Sequence, residues 1–323
     1  MLESIENAKV YNNRHSVIFY NRIKLNFYAK MQNSRLNALI QLLDDPDQII
    51  FETVEKELLK ESCKIIPVLE KKWETSYDEF CQDRIENIIQ NLQFKQTKNN
   101  LKRWIVSKDQ DLLAGFICID RFQYPDINVF NINKKIERIK KEVWLELSNS
   151  LTMLEKTTVL NHFLFNIYGF SVNHSNINSP QNCYLNQLLD TKKGNPVSIA
   201  ILYTIVARML DLPARFTDFP KNPLIALVDN KIAKKVHGPY SKTDVLFYIN
   251  PANKGSITNR SEIDYHLKKN RYTPTDNYAE PASDTIFIKR LIESLRDSYL
   301  SVGFPENKDR TEQLLKLFGK ITV

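Results

Sequence analysis

The sequence predicts an α+β protein with helices at both ends and a small antiparallel sheet built around one buried helix. Three observations predict it. Residues 197–210 are apolar almost all round, and a surface helix would keep a polar face. Short strand-like runs follow at residues 214–217, 224–228 and 245–249. Helical apolar spacing dominates before this segment, and it returns in the last forty or so residues.

Residues 1–33 carry weak periodicity and an excess of Lys and Arg, and are expected to form a basic, poorly ordered tail. From Arg35 the pattern turns helical, with Leu36, Leu39, Ile40 and Leu43 on one face. Asp44-Asp45-Pro46-Asp47 stops that helix and starts the next, with Pro46 near a first-turn position. Ile50, Val54, Leu58 and Leu59 continue the apolar face, and Ile65-Ile66-Pro67-Val68-Leu69 opens a third helix. This order resembles a HEAT-like helical repeat, whose units are stabilised by stacking on neighbours. The stretch with Phe80, Ile85, Ile88, Ile89 and Leu92 offers such a neighbour, so residues 34–95 form the HEAT-like region. Residues 96–100 are polar and read as a linker.

The core is expected over residues 101–270. Charged helix 132–147 precedes amphipathic helix 156–168, which Gly169 ends, and residues 174–181 form a polar loop. Asn195 is placed to cap the buried helix. Pro196 suits its first position, where a missing N–H costs nothing. The insertion 230–243 is basic and polar, and reads as an exposed hairpin or loop. The strand region is expected to end at Asn253-Lys254-Gly255. A short helix over 260–269 turns Ile263 and Leu267 inward, and residues 271–323 close the chain as a helical hairpin with its turn at Gly303-Phe304-Pro305.

Composition excludes several classes. Only 7 glycines in 323 residues argue against a Gly-rich phosphate loop or a barrel of tight turns. The net charge of +7 is spread out. Glu137, Glu142 and Glu146 interleave Lys134, Lys135, Arg138, Lys140 and Lys141, as on a solvated helix face. Cys63, Cys81, Cys118 and Cys183 match no zinc spacing and suggest no disulfide framework, so a reducing cytoplasm is expected. No apolar run approaches the ~20 residues needed to cross a bilayer.

The central segment resembles a known family. The residues that carry this are Tyr184-Leu185-Asn186 with Leu188-Leu189, Gly194-Asn195-Pro196-Val197-Ser198, Leu202-Tyr203, Ala207-Arg208, Leu212-Pro213, Phe219-Pro220 and Tyr248-Ile249-Asn250-Pro251. They are similar to the SirB-type branch of the transglutaminase-like superfamily, which has a papain-like core. The resemblance covers roughly residues 35–320.

It implies a test of catalysis, position by position. In papain-like enzymes a Cys opens the buried helix, whose N-terminus favours the thiolate. A His on a following strand takes the proton, and an Asp or Asn orients it. Counting back from Arg208 and Pro213 puts the Cys position on Pro196. The His position falls on Asn222 and the third on Asn250. Proline has no nucleophile, and a carboxamide is no general base near neutral pH. The SirB-type branch usually lacks the Cys as well.

Displaced groups are few. Ser198 reads as a cap, Cys183 as a structural loop thiol, and His237 as an isolated histidine in the basic insertion. His162 and His174 lack metal-ligand spacing. The expectation is a non-catalytic cytoplasmic module without cofactor or metal, binding a protein or peptide in a cleft at Asn195, Ser198, Asn222 and Asn250. Two alternatives are a thiol hydrolase or acyl transferase using a displaced residue such as Cys183, and a nucleic-acid or anionic-surface binder using Lys231, Lys234 and Lys235.

Overall fold

The computed structural model describes residues 34–238, 243–272 and 278–319. The expected tail, residues 1–33, lies outside the described residues. The chain divides into two compact units, with the boundary between Gln96 and Thr97.

The first unit is helical. Residues 34–41 form α1, followed by α2 (Gln48–Leu58), α3 (Ile66–Thr75) and the first part of α4 (Glu79–Val106). Leu43, Val54, Leu58, Leu69, Ile85, Ile88 and Leu92 pack as one core. The α1–α2 turn is held by Arg84, which donates to the carbonyls of Leu43 at 3.3 Å and Asp45 at 2.8 Å. Its guanidinium also stacks over Phe51 at 3.9 Å. Asp47 caps α2 by accepting from Ile49 N, so Pro46 stands before the cap and not in the first turn. The expected linker at 96–100 is instead the middle of α4. It carries no Pro or Gly to stop a helix, and Thr97 and Leu101 are buried along it.

The second unit is mixed. Helices α5 (Leu112–Gln123), α6 (Val129–Leu145) and α7 (Met153–Asn161) lead to a single π-helix, His162–Ile167, where one continuous α-helix was expected. The wider turn keeps Leu164 and Phe165 buried, with Phe165 stacked against Tyr203 at 6.1 Å. Strand β1 (Ser171–Val172) pairs in parallel with β2 (Lys193–Gly194), on either side of α8 (Leu185–Thr191). Then comes α9 (Pro196–Met209), buried without interruption from Val197 to Ala207 as its all-round apolarity requires.

The main sheet has the order β3-β4-β5-β6 and is antiparallel throughout. Its strands are β3 (Ala214–Thr217), β4 (Leu224–Val228), β5 (Val245–Asn250) and β6 (Ser256–Thr258). The sequence reading stopped at three. Lys254 and Gly255 turn the chain back in left-handed conformations, and the fourth strand is too short to show a period of two. The first part of the insertion expected as an exposed hairpin or loop is helix α10 (Asn230–His237), capped by Asp229, whose carboxylate accepts from Ile232 N at 2.9 Å; residues 239–242 lie outside the described residues. The residues of α10 are mostly good helix formers after a good cap, so polarity alone misread them.

The two sheet faces bury different partners. Leu224, Ala226, Val245 and Tyr248 pack with Phe219, Ala279 and Ile263 of α11 (Arg260–Lys269). A bulge between Leu227 and Val228 brings Val245 and Tyr248 onto that same face. Alternation turns Ile225, Leu227 and Ile249 toward α9. Helix α12 (Asp284–Val302) packs on α9 and α5, and α13 (Pro305–Leu315) returns along it after Gly303, which has φ +80. Arg208 ties this arrangement together: it grips Asp284 with two bonds of 2.5 and 2.9 Å and donates to Ala214 O at 2.9 Å.

Candidate functional site

The start of α9 is closed by its own neighbours. Asn195 Oδ1 accepts from the Ser198 N–H at 2.7 Å, and Ser198 Oγ accepts from the Asn195 N–H at 3.0 Å. The Ser198 hydroxyl donates to Asn182 O at 2.7 Å, so its one proton is engaged. Both residues are buried. A Cβ on Gly194 would stand 2.5 Å from Ser198 Oγ, which is why only glycine fits there. Pro196 occupies the first helical turn, as its missing N–H allows.

Cys183 lies behind this cap, in a buried 3₁₀ turn and not in an open loop. The Asn195 amide donates to its sulfur at 3.0 Å. Burial pushes the thiol up to about 12, far from the range in which a thiolate is available.

Asn222 and Asn250 lie elsewhere. Asn222 is in the turn between β3 and β4, and Asn250 ends β5. Together they line a groove of about 430 Å³ between the sheet and α11. Asn195, Pro196 and Ser198 are not among its lining residues. The opposite wall comes from Glu262 and His266, at i and i+4 on α11, and from Asn270, which caps its C-terminal end. His266 lies against Phe219, with ring centroids 5.6 Å apart. Ser256, Thr258, Tyr265 and Tyr272 also line the groove, with Lys221 beside Asn222. The sequence reading missed this wall. Its one available signal was the polar stripe beside Ile263 and Leu267, and such a stripe usually faces solvent. The side chain of His237 lies outside the described residues.

One buried charge also escaped the sequence reading. Asp120, on α5, is fully buried and accepts from the Leu185 N–H at 2.6 Å and the Asn186 N–H at 2.9 Å. It caps α8 from across the core. Burial pushes its carboxyl up to about 7, against the pull of those two N–H groups. Among the described residues no group of three His, Cys, Asp or Glu side chains could hold a metal ion. No described helix is long and apolar enough to cross a membrane.

A buried helix, a small antiparallel sheet against it and a helical surround define an α+β protein of transglutaminase-like build. Residues 130–293, just over half of the chain, match the transglutaminase-like superfamily, and the chain belongs to that superfamily. It is 31% identical over 122 residues to a UPF0162 protein of Xylella fastidiosa, covering 38% of this chain and 43% of that one. It is 23% identical over 202 residues to the UPF0162 protein YchA of Escherichia coli K12, covering 62% of this chain and 69% of that one. Human F-box only protein 21 is 23% identical over 255 residues, 72% of this chain and 39% of that one. The chain thus covers less than half the length of the Xylella and human relatives. No solved structure matches it.

Proposed function

We propose that this chain is a non-catalytic transglutaminase-like protein of the SirB type, which binds a protein or peptide segment in the cytoplasm. The observation that carries the reading is the groove at Asn222 and Asn250. The Asn222 carboxamide can both donate and accept, as an extended backbone requires, whereas Asn250 Oδ1 already accepts from Asn253 N at 3.3 Å and leaves its NH2 to donate. Neither carboxamide activates a nucleophile or a water near neutral pH. Pro196 at the head of α9 supports the same reading, since it offers no sulfur where the fold would use one. In this reading the helices of the first unit are HEAT-like and add a second surface.

A displaced thiol enzyme is the weaker reading. Cys183 would have to leave its buried turn and shed a proton that burial holds to about 12. The basic residues Lys231, Lys234 and Lys235 lie exposed on α10 and leave an anionic-surface role as the other alternative.

Panning a randomised twelve-residue peptide library tests the proposal. Peptides should be enriched, and the variant Asn222→Trp, which fills the groove, should lose them. Enriched peptides that ignore Asn222→Trp would sink the groove reading. Saturable labelling by a thiol-directed activity probe that disappears in Cys183→Ser would sink the non-catalytic one.

A further inference from the structure

The four-stranded sheet has two unlike edges. The outer side of β3 is covered: Ala282 N donates to Phe216 O at 2.7 Å, and Thr217 bridges to Pro281. The outer side of β6 is bare. Ser256 and Ile257 are exposed, and among the described residues no hydrogen bond reaches the backbone of Ser256–Thr258 from the side away from β5. Proteins usually blunt such an edge with proline, a bulge or an inward charge. Ser-Ile-Thr has none of these and is guarded instead by its three-residue length and the neighbouring Lys254, while two of its residues are β-branched. Ser256 and Thr258 also line the groove, so edge and groove are continuous.

The rim is basic and conformationally costly. Six described residues other than glycine hold positive φ; one of them, Lys221, lines this groove, and Lys254 and Arg271 stand close in the chain to residues that line it. Lys221 precedes Asn222, Lys254 precedes β6, and Arg271 lies between Asn270 and Tyr272. All three are exposed, and among the described residues no carboxylate pairs with any of them. Left-handed backbone at a residue with a side chain persists where the surroundings impose it. Here one such cation, Lys221, is in the lining with Glu262, and two more, Lys254 and Arg271, lie within two residues of lining positions.

We propose that β6 accepts a fifth strand from a partner protein: an extended segment with acidic flanks, lying along the bare edge with alternate side chains entering the groove. This rests on the groove being a peptide site. Main-chain bonds to β6 supply affinity, the groove reads every second side chain, and Lys221, Lys254 and Arg271 select for acid.

The library peptides test it. Their sequences should be acid-rich, and N-methylating every second amide should weaken binding about tenfold while the intervening amides tolerate it. Ser256–Thr258 should gain protection from hydrogen exchange when peptide binds. Lys221→Glu/Lys254→Glu, both on the surface, should weaken binding by about tenfold or more at low salt. Peptides displaced by Asn222→Trp but lacking the period of two would overturn strand addition and leave the groove standing. Peptides indifferent to Asn222→Trp would overturn both. Indifference to the charge reversal would remove the acidic partner. A concentration-dependent dimer protecting β6 would assign the edge to a second copy and overturn the proposal.

Discussion

Replacing Asp120 with Asn separates a buried charge from its shape. A carboxyl raised from near 4 to about 7 corresponds to about 4 kcal/mol, at about 1.4 kcal/mol for each tenfold step. Between those pH values the folded chain keeps a proton that the unfolded chain has released. Stability from this group is therefore fully present below about pH 4 and is lost as pH rises through 7. Asn cannot ionise and adds no such slope. Its cost is constant, about 1–3 kcal/mol, because its amide turns a donor toward one of the two N–H groups that start α8. Asp120→Asn should thus be the less stable protein at pH 4, close the gap between about pH 5 and pH 6, and be the more stable by about 1–3 kcal/mol at pH 7. Urea unfolding followed by circular dichroism at pH 4, 5, 6 and 7 measures the difference directly. A gap constant to within about 0.5 kcal/mol across that range would show that the folded carboxyl titrates normally, and the argument from burial would fail.

Three further outcomes follow from the packing around α9. Gly194→Ala sets a Cβ 2.5 Å from Ser198 Oγ and 2.9 Å from Leu188 Cδ1, so thermal unfolding should show a loss of about 3 kcal/mol. Adding Ser198→Ala removes the first clash, and strictly additive losses in the double variant would contradict that geometry. Cys183 should react with iodoacetamide at pH 8 only as fast as the chain unfolds, and rapid labelling of the folded protein would show that the thiol is accessible. Arg208→Met leaves Asp284 without its two-bond partner and should cost about 2 kcal/mol. Arg208→Lys should restore little of it, since an ammonium cannot match the fork, and a full rescue in the melting temperature would refute the bidentate role.

Local chemistry made much of the scaffold legible. Gly194-Asn195-Pro196 announced the start of α9 because a cap, a first-turn proline and an apolar run act over a few residues. The strands 214–217, 224–228 and 245–249 stood out for the same reason, as did helix 260–269 and the turn at Gly303. The errors came where a neighbour overrode local pattern. Polar residues 96–100 continue a helix because Thr97 and Leu101 are buried along it. Residues 230–237 form a helix behind the Asp229 cap. The π-helix at 162–167 keeps Phe165 against Tyr203.

The candidate site divides in the same way. The residue identities at 196, 222 and 250 could be read from the chain alone, because the absence of a thiol or an imidazole is a fact of covalent chemistry. Where those residues sit could not. Asn195 and Ser198 face inward and spend their polar atoms on each other and on Asn182, whereas Asn222 and Asn250 open onto a groove walled by Glu262, His266 and Asn270. That groove joins residues up to 53 positions apart, from Phe219 to Tyr272, and sheet order brings them together. The sequence by itself determined the buried helix and the strands beside it, since each depends on side chains close together in the chain. Tertiary structure alone decided that β3 is covered, that β6 is bare, and that Asp120 caps a helix 65 residues away, because those depend on which distant segments fold against one another.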